Sequence, residues 1–224
     1  MPDLESREAL ERVLSFVGRE GEAAAQSRAL LEKYRTLDRV LEGSEELLRG
    51  TGGLSAIGAQ LLCAIPGLTR RLCAEEMGER PTVNRFETLR AYMDSMYLGK
   101  RQEELYLLAL NGRRQLIDVR QILKGTLCEV SLSARLVVEA VQQTRADLII
   151  LCHNHPGGSD RFSMADVHTM RLFLRLMGRL RIPVVDHALY AGPQRRSMRL
   201  ENWISEREWM ATGVQNIPRE EWFG

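Results

Sequence analysis

The chain has 224 residues, with 31 Lys and Arg against 30 Asp and Glu, a formal charge of +1. Its 44% hydrophobic and 27% charged content excludes a largely disordered chain, and the even charge balance excludes nucleic-acid binding by bulk charge. No stretch reaches the roughly 20 uninterrupted apolar residues of a membrane span, and MPDLESREALER, charged from Asp3 onward, is not a secretory signal. The expectation is therefore a cytoplasmic protein of one or two domains with no membrane partner. Four cysteines, at 63, 73, 128 and 152, lack the close spacing of a zinc ribbon or a redox pair and read as reduced thiols.

Residues 1–76 read as mostly helical. Leu30, Leu31, Tyr34, Leu37, Val40 and Leu41 fall at i, i+3, i+4 spacing and predict one helix from Ser27 to Leu41. A second helical run, Ala56 to Leu72, is interrupted by Pro66-Gly67. Between them, LLRGTGGLSAIGAQLL joins two helical patterns through a glycine turn. Such a turn forms either a helix-hairpin-helix, whose N–H groups grip a DNA phosphate, or a plain αα corner. Residues 1–80 carry 11 basic and 14 acidic side chains, a net of −3, which favours the corner and makes DNA a disfavoured partner. MGERPTVNRF (77–86) reads as a linker, followed by a helix from Glu87 to about Met96.

Beyond residue 102 the pattern changes. ELYLLALN (104–111) and RQLIDVRQIL (114–123) read as a hairpin across Gly112-Arg113. SARLVVEAVQQTR (133–145) is helical, and DLIILC (147–152) is a continuous apolar run of a buried strand. HNHPGGSDRF is a loop, 163–180 a helix and 182–191 another strand. Strand, helix and strand alternating around a central apolar run predict an α/β sandwich. The tail, with Trp203, Trp209 and Trp222, either binds a partner or, the favoured reading, packs on its own domain.

All four histidines lie between 153 and 187. His153 and His155 are i and i+2 on an extended segment, so both imidazoles point to one side while Asn154 faces away. Ser163-x-x-Asp166 opens the following helix and matches a capping box. Asp166 is also a metal-ligand type whose place in the first turn can face the histidines. Three such ligands with an open fourth position describe a catalytic rather than a structural metal site. A hydrolytic metal also needs a base and an oxyanion donor. Ser163 is near enough for the donor. Glu103 and Glu104 are the candidate bases, and alternation alone does not choose between them. Asp186-His187 reads either as a core pair in which the acid fixes a tautomer or as support for the ligands.

His153-x-His155-Pro156, six residues, then Ser163-x-x-Asp166 resembles the JAMM motif of the JAB/MPN metalloprotease superfamily. HNHPGG with a downstream VVDHALYAG is more narrowly similar to the bacterial RadC family, and Gly125-Thr126 and Arg135 match its GT turn and helix-leading Arg. The resemblance covers 85–204, is weaker over 27–76 and is absent over 205–224. It departs from the pattern at Gly157, Ser159-Asp160 and Phe162, and at Gly50-Thr51-Gly52-Gly53 in the hairpin.

The resemblance implies an MPN mixed-sheet α/β sandwich at 85–204, a small all-helical domain at 1–80 and a separate tail at 205–224. It implies Zn2+ on His153, His155 and Asp166, a general acid/base Glu and a Ser that stabilises the tetrahedral intermediate. The base is the Glu standing ahead of a Leu-Asn pair, and Leu110-Asn111 selects Glu103. The implied activity is hydrolysis of a peptide or isopeptide bond in a peptide or protein substrate. The alternatives are a DNA-repair-associated protein with a DNA-binding helical domain, or an inactive MPN scaffold; the intact set of five residues speaks against the scaffold.

Overall fold

The computed structural model describes residues 4–19, 21–125, 134–157, 159–214 and 219–223. The chain divides into two compact units, Met1–Leu72 with Tyr97–Arg101, and Cys73–Met96 with Gln102–Gly224. No described helix is long and apolar enough to cross a membrane.

The first unit is helical: α1 (Leu4–Ser15), α2 (Ala23–Tyr34), α3 (Leu37–Leu41), α4 (Glu45–Arg49) and most of α5 (Ala56–Met77). Leu10, Leu14, Leu30, Leu31, Val40, Leu48, Ala59 and Leu62 form its core. Two expectations are corrected here. The helix read as continuous from Ser27 to Leu41 breaks at Arg35, whose φ is 73° and whose N–H closes α2 on the Leu31 carbonyl. Thr36 then restarts the helix, its hydroxyl accepting from the Arg39 N–H at 3.4 Å. Conversely, α5 runs straight through Pro66-Gly67. Gly58, Ala59, Leu62 and Pro66 are buried at helical spacing, so the proline is itself the last buried residue of the helix, which continues past it without the one backbone bond Pro66 cannot make.

The glycine turn between α4 and α5 is held from α2. Lys33 Nζ donates to Thr51 Oγ1 at 2.8 Å, and Gln26 Nε2 donates to the Gly53 carbonyl at 3.5 Å. A Cβ on Gly52, where φ is 62°, would come within 2.7 Å of the Ala29 methyl. The turn is thus closely packed against its own helices, as an αα corner is.

The second unit holds one five-stranded mixed sheet in the order β2-β1-β3-β4-β5. Its strands are β1 (Glu104–Leu110), β2 (Leu116–Lys124), β3 (Leu148–Asn154), β4 (Val184–Ala191) and β5 (Gln194–Ser197). β1 runs antiparallel to β2 and β3, β3 and β4 are parallel, and β5 returns antiparallel on β4. α6 (Phe86–Tyr97) precedes the sheet, α7 (Ala134–Thr144) packs on β1 and β2, and α8 (Met164–Leu180) packs on β4. This is the α/β class expected. The segment read as a linker also pairs: Thr82 bridges Gln115, and Val83 N–H donates to the Arg114 carbonyl at 2.8 Å. β5 escaped the sequence reading because it is four residues long and carries Arg195 and Arg196, a composition that blunts an edge strand. Thr126 and the side chain of Arg135, the positions of the GT turn and helix-leading Arg, lie outside the described residues, as does Cys128.

The tail packs on its own unit. α9 (Glu206–Met210) and α10 (Arg219–Phe223) bury Trp209 and Trp222 completely. Trp222 Nε1 donates to Asp186 Oδ2 at 3.0 Å, and that carboxylate also accepts from the Ser197 hydroxyl at 2.5 Å, the His187 N–H at 2.7 Å and the Arg199 N–H at 3.2 Å. Burial pushes the Asp186 carboxyl up to about 6 against these four donors. Trp222→Phe removes one donor from a buried acceptor and is expected to destabilise this unit by about 1–3 kcal/mol, read as a lower denaturant midpoint. An unchanged midpoint would show that the indole N–H contributes nothing to holding the tail.

Candidate metal centre

Strand register brings the chemistry together. Leu105 of β1 lies opposite His153 of β3 and shares its face. Alternation then puts Glu103, two residues earlier, on the His153 face and Glu104 on the other. The side chains follow that geometry. One ligand atom from each of Glu103, His153, His155 and Asp166 lies within 4.8 Å of the others. Glu104 is buried elsewhere, its Oε2 accepting from the Tyr106 hydroxyl at 2.8 Å.

His153 Nε2 and His155 Nε2 stand 3.0 Å apart, and Asp166 approaches them at 3.5 Å through Oδ1 and 3.6 Å through Oδ2. A tetrahedral ion with ligand bonds of about 2.0–2.1 Å separates its ligands by about 3.3 Å, and the three separations, the last two measured to different oxygens of Asp166, lie on either side of that spacing. The donor set, two imidazoles and one carboxylate, is that of a catalytic zinc.

Tautomers can be read from the partners. His155 Nδ1 faces the Ser159 carbonyl at 3.1 Å; a carbonyl only accepts, so Nδ1 carries the proton and Nε2 keeps its lone pair. His153 Nδ1 lies 2.8 Å from His187 Nε2. With the His153 proton on Nδ1, His187 Nε2 accepts it and His153 Nε2 is free for a metal. Burial holds His153 below the ordinary histidine range, and burial again holds His187 well below it, so both rings are neutral. The His187 position follows from the sheet: it pairs with Leu151, two residues before His153 on the same face. Asp186 points to the opposite face and accepts the backbone N–H of His187, not its ring. Of the two readings of Asp186-His187, the structure has His187 touching a candidate ligand, and Asp186 takes no part in its tautomer.

Ser163 and Asp166 form a full capping box at the head of α8. The Ser163 N–H and hydroxyl donate to Asp166 Oδ2 at 2.6 and 2.7 Å, and Asp166 N–H donates to Ser163 Oγ at 3.1 Å. Burial works against ionisation of Asp166, while the Ser163 N–H and hydroxyl draw its carboxyl below the usual carboxylate range. The capping reading and the ligand reading are therefore compatible in one carboxylate. Phe162 is buried against the pair, its ring 5.9 Å from His153 and 5.6 Å from His187. His168, one turn into α8, is exposed and outside the group.

The sheet order, the β3–loop–α8 connection and this group define a class of JAB-type metal-site domains. The family model for the RadC-like JAB domain matches residues 83–203, and the chain belongs to that family. Among curated relatives, a UPF0758 protein of Neisseria meningitidis serogroup C is 29% identical over 189 residues, 84% of each chain. A UPF0758 protein of Cupriavidus taiwanensis is 29% identical over 83% of this chain and 82% of its own, and one of Burkholderia thailandensis is 26% identical over 80% and 69%.

His187→Phe keeps the ring volume and removes the acceptor for His153 Nδ1. Zinc affinity, measured by competition with a chromophoric chelator, is expected to fall about 10–100-fold. An unchanged affinity would mean that the His153 tautomer is set without His187.

Proposed function

We propose that this protein is a zinc-dependent hydrolase of peptide or isopeptide bonds, with a peptide or protein segment as substrate. The observation that carries the reading is the placement of Glu103, by strand register, beside the three-ligand group of His153, His155 and Asp166. Three ligands leave the fourth position open for water, and a carboxylate held beside that position, rather than filling it, can take the water's proton, a group that a site built only to hold a metal does not need.

His153, His155 and Asp166 would hold the zinc, which when bound supplies Lewis acidity, lowering the pKa of water toward about 7 and polarising a carbonyl. The rest falls to the chain's own side chains. Glu103 accepts the proton of the attacking water at its carboxylate as the carbon–oxygen bond forms. The same proton then passes to the leaving nitrogen as the carbon–nitrogen bond breaks. Ser163, exposed at the head of α8, turns its hydroxyl proton from Asp166 toward the developing oxyanion, while its N–H keeps hold of Asp166. Phe162 and the neutral His187 close the inner side of the site, which keeps local electrostatics strong.

Two measurements test this. Protein purified without chelator is expected to hold one zinc per chain, and His153→Ala with His155→Ala to lose it; metal retained by the double variant would place the site elsewhere. In a peptide-library cleavage assay, Glu103→Gln is expected to keep zinc and lower turnover by roughly 100-fold or more, while Glu104→Gln changes it little. Equal losses in both variants would overturn the assignment of Glu103. A zinc-loaded wild type that cleaves no peptide or isopeptide would leave the scaffold reading standing.

A further inference from the structure

The residue between the two histidines does a separate task. Asn154 is buried, and its neighbours in sequence, His153 and His155, turn to the opposite side. Its side-chain oxygen accepts the N–H of Glu104 at 2.8 Å, and its side-chain nitrogen donates to the carbonyl of Gln102 at 3.1 Å. The assignment of oxygen and nitrogen is forced, because one partner only donates and the other only accepts. One amide thus grips the two peptide groups that flank Glu103.

The grip sits where the sheet stops. Pairing of β1 with β3 ends at Leu105 and His153. Beyond that point the backbone of β3 turns to β4, with Asn154 opposite Tyr190 and the His155 N–H donating to the Tyr190 carbonyl at 2.9 Å. The β1 chain ahead of Leu105 therefore has no β3 backbone left to pair with. On the other side, the Gly125 N–H donates to the Glu103 carbonyl at 2.8 Å. The Asn154 amide takes the place of the missing ladder and continues the pairing through exactly the residue that faces the ligands.

We propose that Asn154 is the positioning residue for Glu103: by bonding Gln102 and Glu104 it fixes the backbone so that the Glu103 carboxylate stays beside His153, His155 and Asp166. The proposal rests on the reading of Glu103 as the acid/base group. The His-Asn-His run then serves both halves of the site, its outer residues as ligands and its middle residue as the clamp on the base. Asparagine is needed because the clamp requires a donor and an acceptor on one short planar group. Aspartate keeps the acceptor and loses the donor, and alanine loses both.

The test uses the full chain, zinc-loaded, with Asn154→Ala and Asn154→Asp, each in the wild-type and Glu103→Gln backgrounds. Hydrogen exchange at the Glu104 amide is expected to quicken about tenfold or more while the core amides of Leu107 and Ile150 keep their protection. Displacement of a catalytic group by about 1 Å costs on the order of 100-fold, so kcat is expected to fall by roughly that factor with KM and zinc content unchanged. In the Glu103→Gln background the Asn154 changes are expected to add nothing. An equal further loss in that background, loss of zinc, or exchange that quickens equally at Leu107 and Ile150 would overturn the proposal and make Asn154 a general structural residue. If the wild type binds zinc and cleaves nothing, the proposed hydrolase fails, and the clamp is judged on its own by a crystal structure of Asn154→Ala. A Glu103 carboxylate displaced from the His153, His155 and Asp166 atoms supports it; one still within reach of them overturns it.

Discussion

The site depends on one carboxylate that serves two structures at once. Asp166 closes the first turn of α8 by accepting the Ser163 N–H, and the same group faces both histidine Nε2 atoms. Helix capping holds this carboxylate, so the third candidate ligand is placed by the start of α8 itself. Burial of this charge is opposed by two Ser163 donors, its N–H and its hydroxyl, which favour the ionised carboxylate. Replacing Ser163 would act on the helix start and on the candidate ligand set together.

The central strands carry this arrangement. β3 and β4 are buried along almost their whole length, and their parallel pairing sets His187 beside His153. A ring whose two nitrogens are both buried must find its proton a partner; with that proton on Nδ1, His153 donates a hydrogen bond to His187 Nε2, and its Nε2, on the side of His155 and Asp166, is left bare. The Asp186 carboxylate, one residue away, serves the opposite face, where it ties β4 to Ser197, Arg199 and the C-terminal Trp222. One dipeptide thus joins the site to the packing of the tail.

The local parts of this site were legible in the sequence. His153, His155, Ser163 and Asp166 lie within 14 residues of chain, and strand alternation and capping rules act over that range. The central strands were legible from their apolar runs. Glu103 against Glu104 was not decidable from alternation, because the face of β1 is set by the pairing of Leu105 with His153, almost fifty residues on. The Asn154 clamp was invisible for the same reason, and because it binds backbone groups that carry no sequence signature. In the helical unit, the break at Arg35 went against the local pattern because the caps at Arg35 and Thr36 decided it, and the helix continues through Pro66, whose own ring is buried.

The most direct test of the account is X-ray absorption at the zinc edge of the purified protein. The account predicts a shell of nitrogen and oxygen ligands only, at about 2.0–2.1 Å, with the outer-shell scattering of two imidazoles. A sulfur shell near about 2.3 Å would assign the metal to cysteine, and protein that takes up no zinc at all would contradict the metal centre itself.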